Sequence, residues 1–114
     1  MTAERKNALP TLLATLAILA VAVWSTPLTA QDGPTLYKTK CAMCHGPDGK
    51  GDTPMGKKLN IRNLDSPEVQ KQTDAELNTI IAKGKGKMAP FGAKLTTEQI
   101  GQLVAHIREL GNKK

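Results

Sequence analysis

The chain has 114 residues, enough for one domain, and carries 16 basic against 10 acidic residues, a formal net charge of +6. With one Trp, one Tyr, one Phe and two cysteines, a core that stabilises itself by apolar packing and disulfides alone is excluded, and a buried cofactor is expected to supply the missing apolar volume. The basic balance points to acidic partner surfaces rather than nucleic acid, because no aromatic residues interleave with the lysines.

The first thirty residues differ from the rest. Arg5 and Lys6 give a charged start, Leu12 to Trp24 is an almost unbroken apolar run, and Pro27-Leu28-Thr29-Ala30 ends on a small residue before polar Gln31. A run of about thirteen residues falls short of the roughly 20 that span a bilayer. Residues 1–30 are therefore read as a secretory signal cleaved after Ala30, with an uncleaved anchor as the alternative, since Leu28 is a less favourable residue than Ala three positions before the cut. The absence of Cys near the junction excludes a lipoprotein. Residues 31–114 form the single exported domain, periplasmic or otherwise outside the cytoplasmic membrane. Only Glu4, Arg5 and Lys6 leave with the signal, so fourteen basic residues remain against nine acidic ones.

A first helix is predicted from about Pro34 to Cys44, with Pro34 suited to its first turn. Its end carries Cys41-Ala42-Met43-Cys44-His45, the C-x-x-C-H signature of covalent haem attachment. Two thiols on one turn of helix can add to neighbouring vinyl groups while the next residue, His45, presents a ring nitrogen to the iron. The alternatives are a disulfide within the motif, a zinc half-site, or a buried pair with an incidental His. Zinc would need a fourth ligand, and a thioredoxin-like motif expects a βαβ context that is missing.

From Gly46 to Asn60 the chain is punctuated by Gly46, Pro47, Gly49, Gly51, Pro54 and Gly56 and reads as an irregular loop. Thr73-Asp74-Ala75-Glu76 has capping-box spacing, and Leu77, Ile80 and Ile81 follow as an apolar stripe that stops at Gly84. The segment from Gly84 to Phe91 is a second punctuated loop. Thr96-Thr97-Glu98-Gln99 repeats the capping-box spacing, and Ile100, Leu103, Val104, Ile107 and Leu110 continue at helical steps to Gly111. No period-two segment of useful length occurs. The fold class is all-α, three to four short helices with long loops wrapped around one haem.

Four residues compete for the second axial position: Met43, Met55, Met88 and His106. Met88 is the first choice, because its Gly- and Pro-punctuated loop can aim a thioether at iron; the alternative is a Met that fills a core gap. Met43 lies within the attachment turn on the His45 side. Met55 follows His45 closely and is the second choice. His106 shares a helical face with Leu103 and Leu110 and reads as a packed core residue.

Taken together, Cys41, Cys44, His45, Met88 and the helix from Lys94-Leu95-Thr96 to Ile107 resemble the small class I c-type cytochromes, single-haem electron carriers of bacterial and photosynthetic electron transport. The resemblance covers nearly all of Gly33 to Leu110. It implies one haem c with its iron, held covalently by Cys41 and Cys44 and ligated by His45 and Met88, in a monomeric electron carrier rather than an enzyme. It also implies a close crossing of the first and last helices, with Gly33 and Tyr37 meeting Leu103, and His106 where the family usually has Tyr or Trp. A Pro carbonyl is expected to accept from the free ring nitrogen of His45, Pro54 first and Pro47 as the alternative. Ala89 stands between Met88 and Pro90, where the family often has Pro directly after the Met.

A His/Met site implies a comparatively high reduction potential. Lys57, Lys58, Lys83, Lys85, Lys87 and Lys94 flank the two loops expected at the haem edge and form either a steering patch for acidic redox partners, such as membrane oxidoreductases or terminal oxidases, or ordinary solvated lysines. Membrane contact is expected only if residues 1–30 are retained. The rival functions are a haem subunit of a dehydrogenase or oxidase complex and a ligand-binding haem sensor.

Overall fold

Asp32 caps the first described helix by accepting a hydrogen bond from Thr35 N–H at 2.9 Å, and Pro34 occupies a first-turn position where its missing N–H costs nothing. The helix that follows, α1, spans Gly33–Lys40. The computed structural model describes residues 31–113; the predicted signal and its cleavage point up to Ala30 lie outside them.

The predicted helix from Pro34 to Cys44 is divided. Cys41, at φ −118°, closes α1 and opens a separate turn, α2, over Ala42–His45. Gly46, at φ 79°, then ends α2.

The loop expected from Gly46 to Asn60 contains a helix, α3, over Pro54–Leu59. Thr53 caps it by accepting from Gly56 N–H, Pro54 stands in its first turn, and Asn60 stops it in the left-handed conformation at φ 57°. Another single turn, α4, covers Pro67–Gln70. Among the described residues these turns bring the helix count to six where three to four were expected, within an all-helical fold whose only strand-like feature there is a bridge between Lys85 and Met88.

Both predicted capping boxes form. Thr73 and Glu76 close the start of α5, Asp74–Lys83, and Thr96 and Gln99 that of α6, Thr97–Asn112. The last helix runs one residue past Gly111.

The core sits where α6 crosses α1 and packs along α5, with Leu36 and Leu103 fully enclosed. A Cβ on Gly33 would lie 2.3 Å from the carbonyl oxygen of Gln102, so only glycine lets the two backbones approach this closely. Tyr37 lies in the same crossing, and its ring meets that of His106 with centroids 4.7 Å apart and planes at 51°. The imidazole thus takes the aromatic role at the crossing.

Arg108 fastens the far side of α6. Its guanidinium donates to Asp74 Oδ1 at 2.8 and 3.0 Å, to the Gln70 carbonyl at 2.9 Å and to the Gln72 carbonyl. Gln70 Nε2 reaches the carbonyls of Leu64 and Ile107. Together these contacts hold α4 and the start of α5 against α6 and set one wall of the cavity described next.

Candidate haem site

A cavity of about 680 Å³ opens among α1, α2, α5, α6 and the two loops. Cys41, Cys44, His45 and Met88 all line it. The attachment turn and the Met loop, more than forty residues apart in sequence, are therefore brought to one space. Much of the remaining wall is apolar, with Ile61, Leu64, Leu77, Ile81, Phe91 and Leu103 among its residues.

The attachment turn is pinned from several directions. Tyr37 Oη donates to the Gly46 carbonyl at 2.7 Å, Gly51 N–H donates to the His45 carbonyl at 2.7 Å, and Thr53 Oγ1 donates to the Cys44 carbonyl at 3.0 Å. No disulfide joins Cys41 and Cys44. Burial, followed by the neighbouring Cys44, pushes the Cys41 thiol up to about 11. Burial holds the His45 imidazolium below its ordinary range, so the ring is neutral, with a lone pair to offer, at neutral pH.

His45 Nδ1 is buried and has no hydrogen-bond partner. Neither Pro54 nor Pro47 supplies the expected carbonyl. Pro54 opens α3, where a carbonyl is directed along the helix axis toward the next turn.

The Met88 loop is fixed by backbone contacts. Met88 N–H donates to the Lys85 carbonyl at 3.0 Å, and Phe91 and Gly92 N–H donate back to the Ile81 and Ala82 carbonyls of α5, each at 2.9 Å. Gly84 turns the chain out of α5 at φ 75°, and a Cβ there would lie 2.4 Å from the Met88 carbonyl oxygen. Ala89 lines the cavity beside Met88, and Pro90 follows it.

The other three ligand candidates stand apart. Met43 is 78% and Met55 40% exposed, and neither lines the cavity. His106 is buried against Tyr37 outside it; its Nδ1 is unpartnered, with Glu109 Oε2 at 3.7 Å. Among the described residues no cluster of three or more His, Cys, Asp or Glu side chains is arranged to hold a bare metal ion.

Four cations line the cavity: Lys40, Arg62, Lys85 and Lys87. Lys85 and Lys87 were legible from the Met loop, whereas Lys40 and Arg62 were not. Lys40 directly precedes Cys41, a position that could have flagged it; nothing local marks Arg62. Lys94 sits over the Phe91 ring at 6.0 Å, and Lys57 pairs with Asp52 at 2.9 Å.

The residues present suit a haem. Two cysteine sulfurs, a neutral, half-buried imidazole and a thioether line one largely apolar cavity, which is the donor set and dielectric that the group requires.

The sequence model of the family described as "Cytochrome C oxidase, cbb3-type, subunit III" matches residues 28–107. Cytochrome c6 of Gloeothece citriformis (strain PCC 7424) is 32% identical over 94 residues, covering 79% of this chain and 82% of that protein. Among solved structures, the KustC0563 c-type cytochrome is 36% identical at a TM-score of 0.65, over 70% of this chain and 98% of its own. A tyrosine-to-phenylalanine mutant of that cytochrome is 35% identical at a TM-score of 0.64, over 70% and 99%. With its attachment motif lining an apolar cavity, its all-helical fold and these relatives, the chain belongs to the small c-type cytochromes, which carry electrons on covalently held haem c.

Proposed function

We propose that this chain is an exported monomeric carrier of single electrons in which Cys41 and Cys44 hold the haem and His45 and Met88 are the axial ligands of its iron. The observation that supports the reading most strongly is that these four side chains line one apolar cavity. When bound, the haem supplies one-electron exchange between ferric and ferrous iron.

The protein's part follows from its own groups. Cys41 and Cys44 would hold the group covalently, each S–H adding across one vinyl group with no atom released, so that the cofactor could not dissociate. His45 offers a neutral ring nitrogen because burial disfavours its protonation. Met88 offers a thioether, which favours ferrous iron more than a second imidazole does, and the apolar wall adds to this by disfavouring net charge. With His45 and Met88 both holding the iron, the group would supply electron exchange rather than a place for substrate or gas.

Residues 1–30 act as the export signal in this reading, and the mature protein starts at Gln31 and works in the periplasm. Lys40, Arg62, Lys85 and Lys87, at the cavity, face acidic surfaces of donor and acceptor proteins.

A redox titration with carbon monoxide present and absent tests the proposal. The expected result is a one-electron transition and no carbon monoxide adduct in the reduced protein. Ready adduct formation would instead indicate an open, ligand-binding iron.

A second reading, a haem subunit held in an oxidase complex, draws on the description of the matching family. Stable co-purification with a membrane complex, together with retention of residues 1–30, would favour it.

A further inference from the structure

Three successive carbonyls of the attachment turn are each held by a different part of the chain. The one preceding His45, on Cys44, accepts from the Thr53 hydroxyl at 3.0 Å. That hydroxyl also accepts from Gly56 N–H at 2.8 Å as the cap of α3. One side chain thus uses its donor on the haem-attachment turn and its acceptor on the next helix.

The first turn of α3 presses on the same carbonyl. A Cβ at Gly56 would lie 2.6 Å from the Cys44 oxygen and 2.2 Å from the Gly51 oxygen. The Cys44 carbonyl therefore has a donor and a closely packed backbone against it, which leaves the peptide between Cys44 and His45 little freedom to rotate.

We infer that Thr53 is a positioning residue for electron transfer, setting the orientation of His45 and the charge around the iron through the Cys44 carbonyl. This inference rests on the reading of His45 as an axial ligand. Two effects follow from removing the hydroxyl. The peptide bearing His45 gains freedom, so the ring direction relative to the iron changes. The carbonyl oxygen loses the hydroxyl donor that partly neutralises it, and its negative end would then favour ferric over ferrous iron.

The test uses the holoprotein and its Thr53→Val, Thr53→Gly and Thr53→Ser variants. Thr96→Val, which removes the equivalent cap of α6, is the matched control for simple loss of a helix cap. The readouts are the reduction potential, the paramagnetically shifted NMR signals of the His45 ring, and the unfolding temperature.

Thr53→Val is expected to lower the ferrous to ferric ratio at fixed ambient potential by roughly twofold or more, the scale of one net hydrogen bond, and to move the His45 signals. Thr53→Gly, a tolerated cap, should do the same where Thr53→Val folds poorly. Thr53→Ser should restore both readouts. Thr96→Val should lose thermal stability while keeping the potential and the His45 signals.

Thr53→Val and Thr53→Gly variants with unchanged potential and His45 signals would overturn the positioning role and leave the axial reading intact. Absence of His45 ring signals characteristic of an iron ligand in the unsubstituted protein would overturn the axial reading itself, and with it this inference, before any variant is compared.

Discussion

At the scale of single residues, the tolerance of a position depends on which atoms surround it. Gly33 and Gly101 are both helical glycines, yet a Cβ at Gly33 meets the backbone of Gln102 at 2.3 Å and one at Gly101 meets nothing within 4 Å. Gly33→Ala should force α1 and α6 apart and destabilise the fold by roughly 1–3 kcal/mol. Gly101→Ala should stabilise it by up to about 1 kcal/mol through helix propensity. Thermal unfolding of the two variants checks this; equal and small effects would contradict the close crossing. His106 follows the same logic. A polar ring is accommodated at the crossing because its face packs on Tyr37, although its Nδ1 finds no partner.

At the scale of elements, helix starts depended on local chemistry, and the long helices were legible for that reason. Thr73 with Glu76 and Thr96 with Gln99 close reciprocal bonds over four residues, so their spacing alone locates α5 and α6. Glu76 is held below its ordinary carboxylate range by the Thr73 N–H and then by the Thr73 hydroxyl. Its folded value being lowered, the contribution is full above the unfolded value and fades as pH falls through the folded one. Glu76→Gln keeps an acceptor for Thr73 N–H but removes the titration, so its stability should decline less steeply on the acid side in pH-dependent denaturation curves. The short helices were not legible. In α3, Pro54 and Gly56 read as punctuation, whereas they are a first-turn proline and a close-approach glycine. In α4 a single turn is held by Gln70 and Arg108 reaching between elements, contacts that no local pattern encodes. The break at Cys41 was hidden for a similar reason, since the residues on both sides favour helix.

At the scale of the molecule, the local C-x-x-C-H motif was legible, and so was the punctuated loop that brings Met88 to the cavity. The rest of the cavity was not, because residues as distant as Lys40, Arg62 and Ile107 meet only through the packing of α1, α5 and α6. Charge at this scale has a kinetic consequence. Lys85, Lys87 and Lys94 lie in or beside the loop that carries Met88, and all three are exposed. Changing them together to Glu should slow reaction with an acidic redox partner by about tenfold or more near 0.01 M salt, where the screening length is roughly 30 Å. The difference should shrink at high salt. Stopped-flow rates across a salt series check this, and rates unaffected at low salt would mean that these lysines are ordinary solvated charges.

The proposed site, one covalent haem held by Cys41 and Cys44 and ligated by His45 and Met88, has a spectroscopic signature. Its most direct test is the absorption spectrum of the exported protein, oxidised and reduced, beside that of Met88→Ala. The expected result is c-type haem bands in both proteins and a weak far-red ferric band, the mark of iron bound to Met sulfur, that disappears in the variant alone. A far-red band that survives in Met88→Ala, or an exported protein without covalent haem, would contradict it.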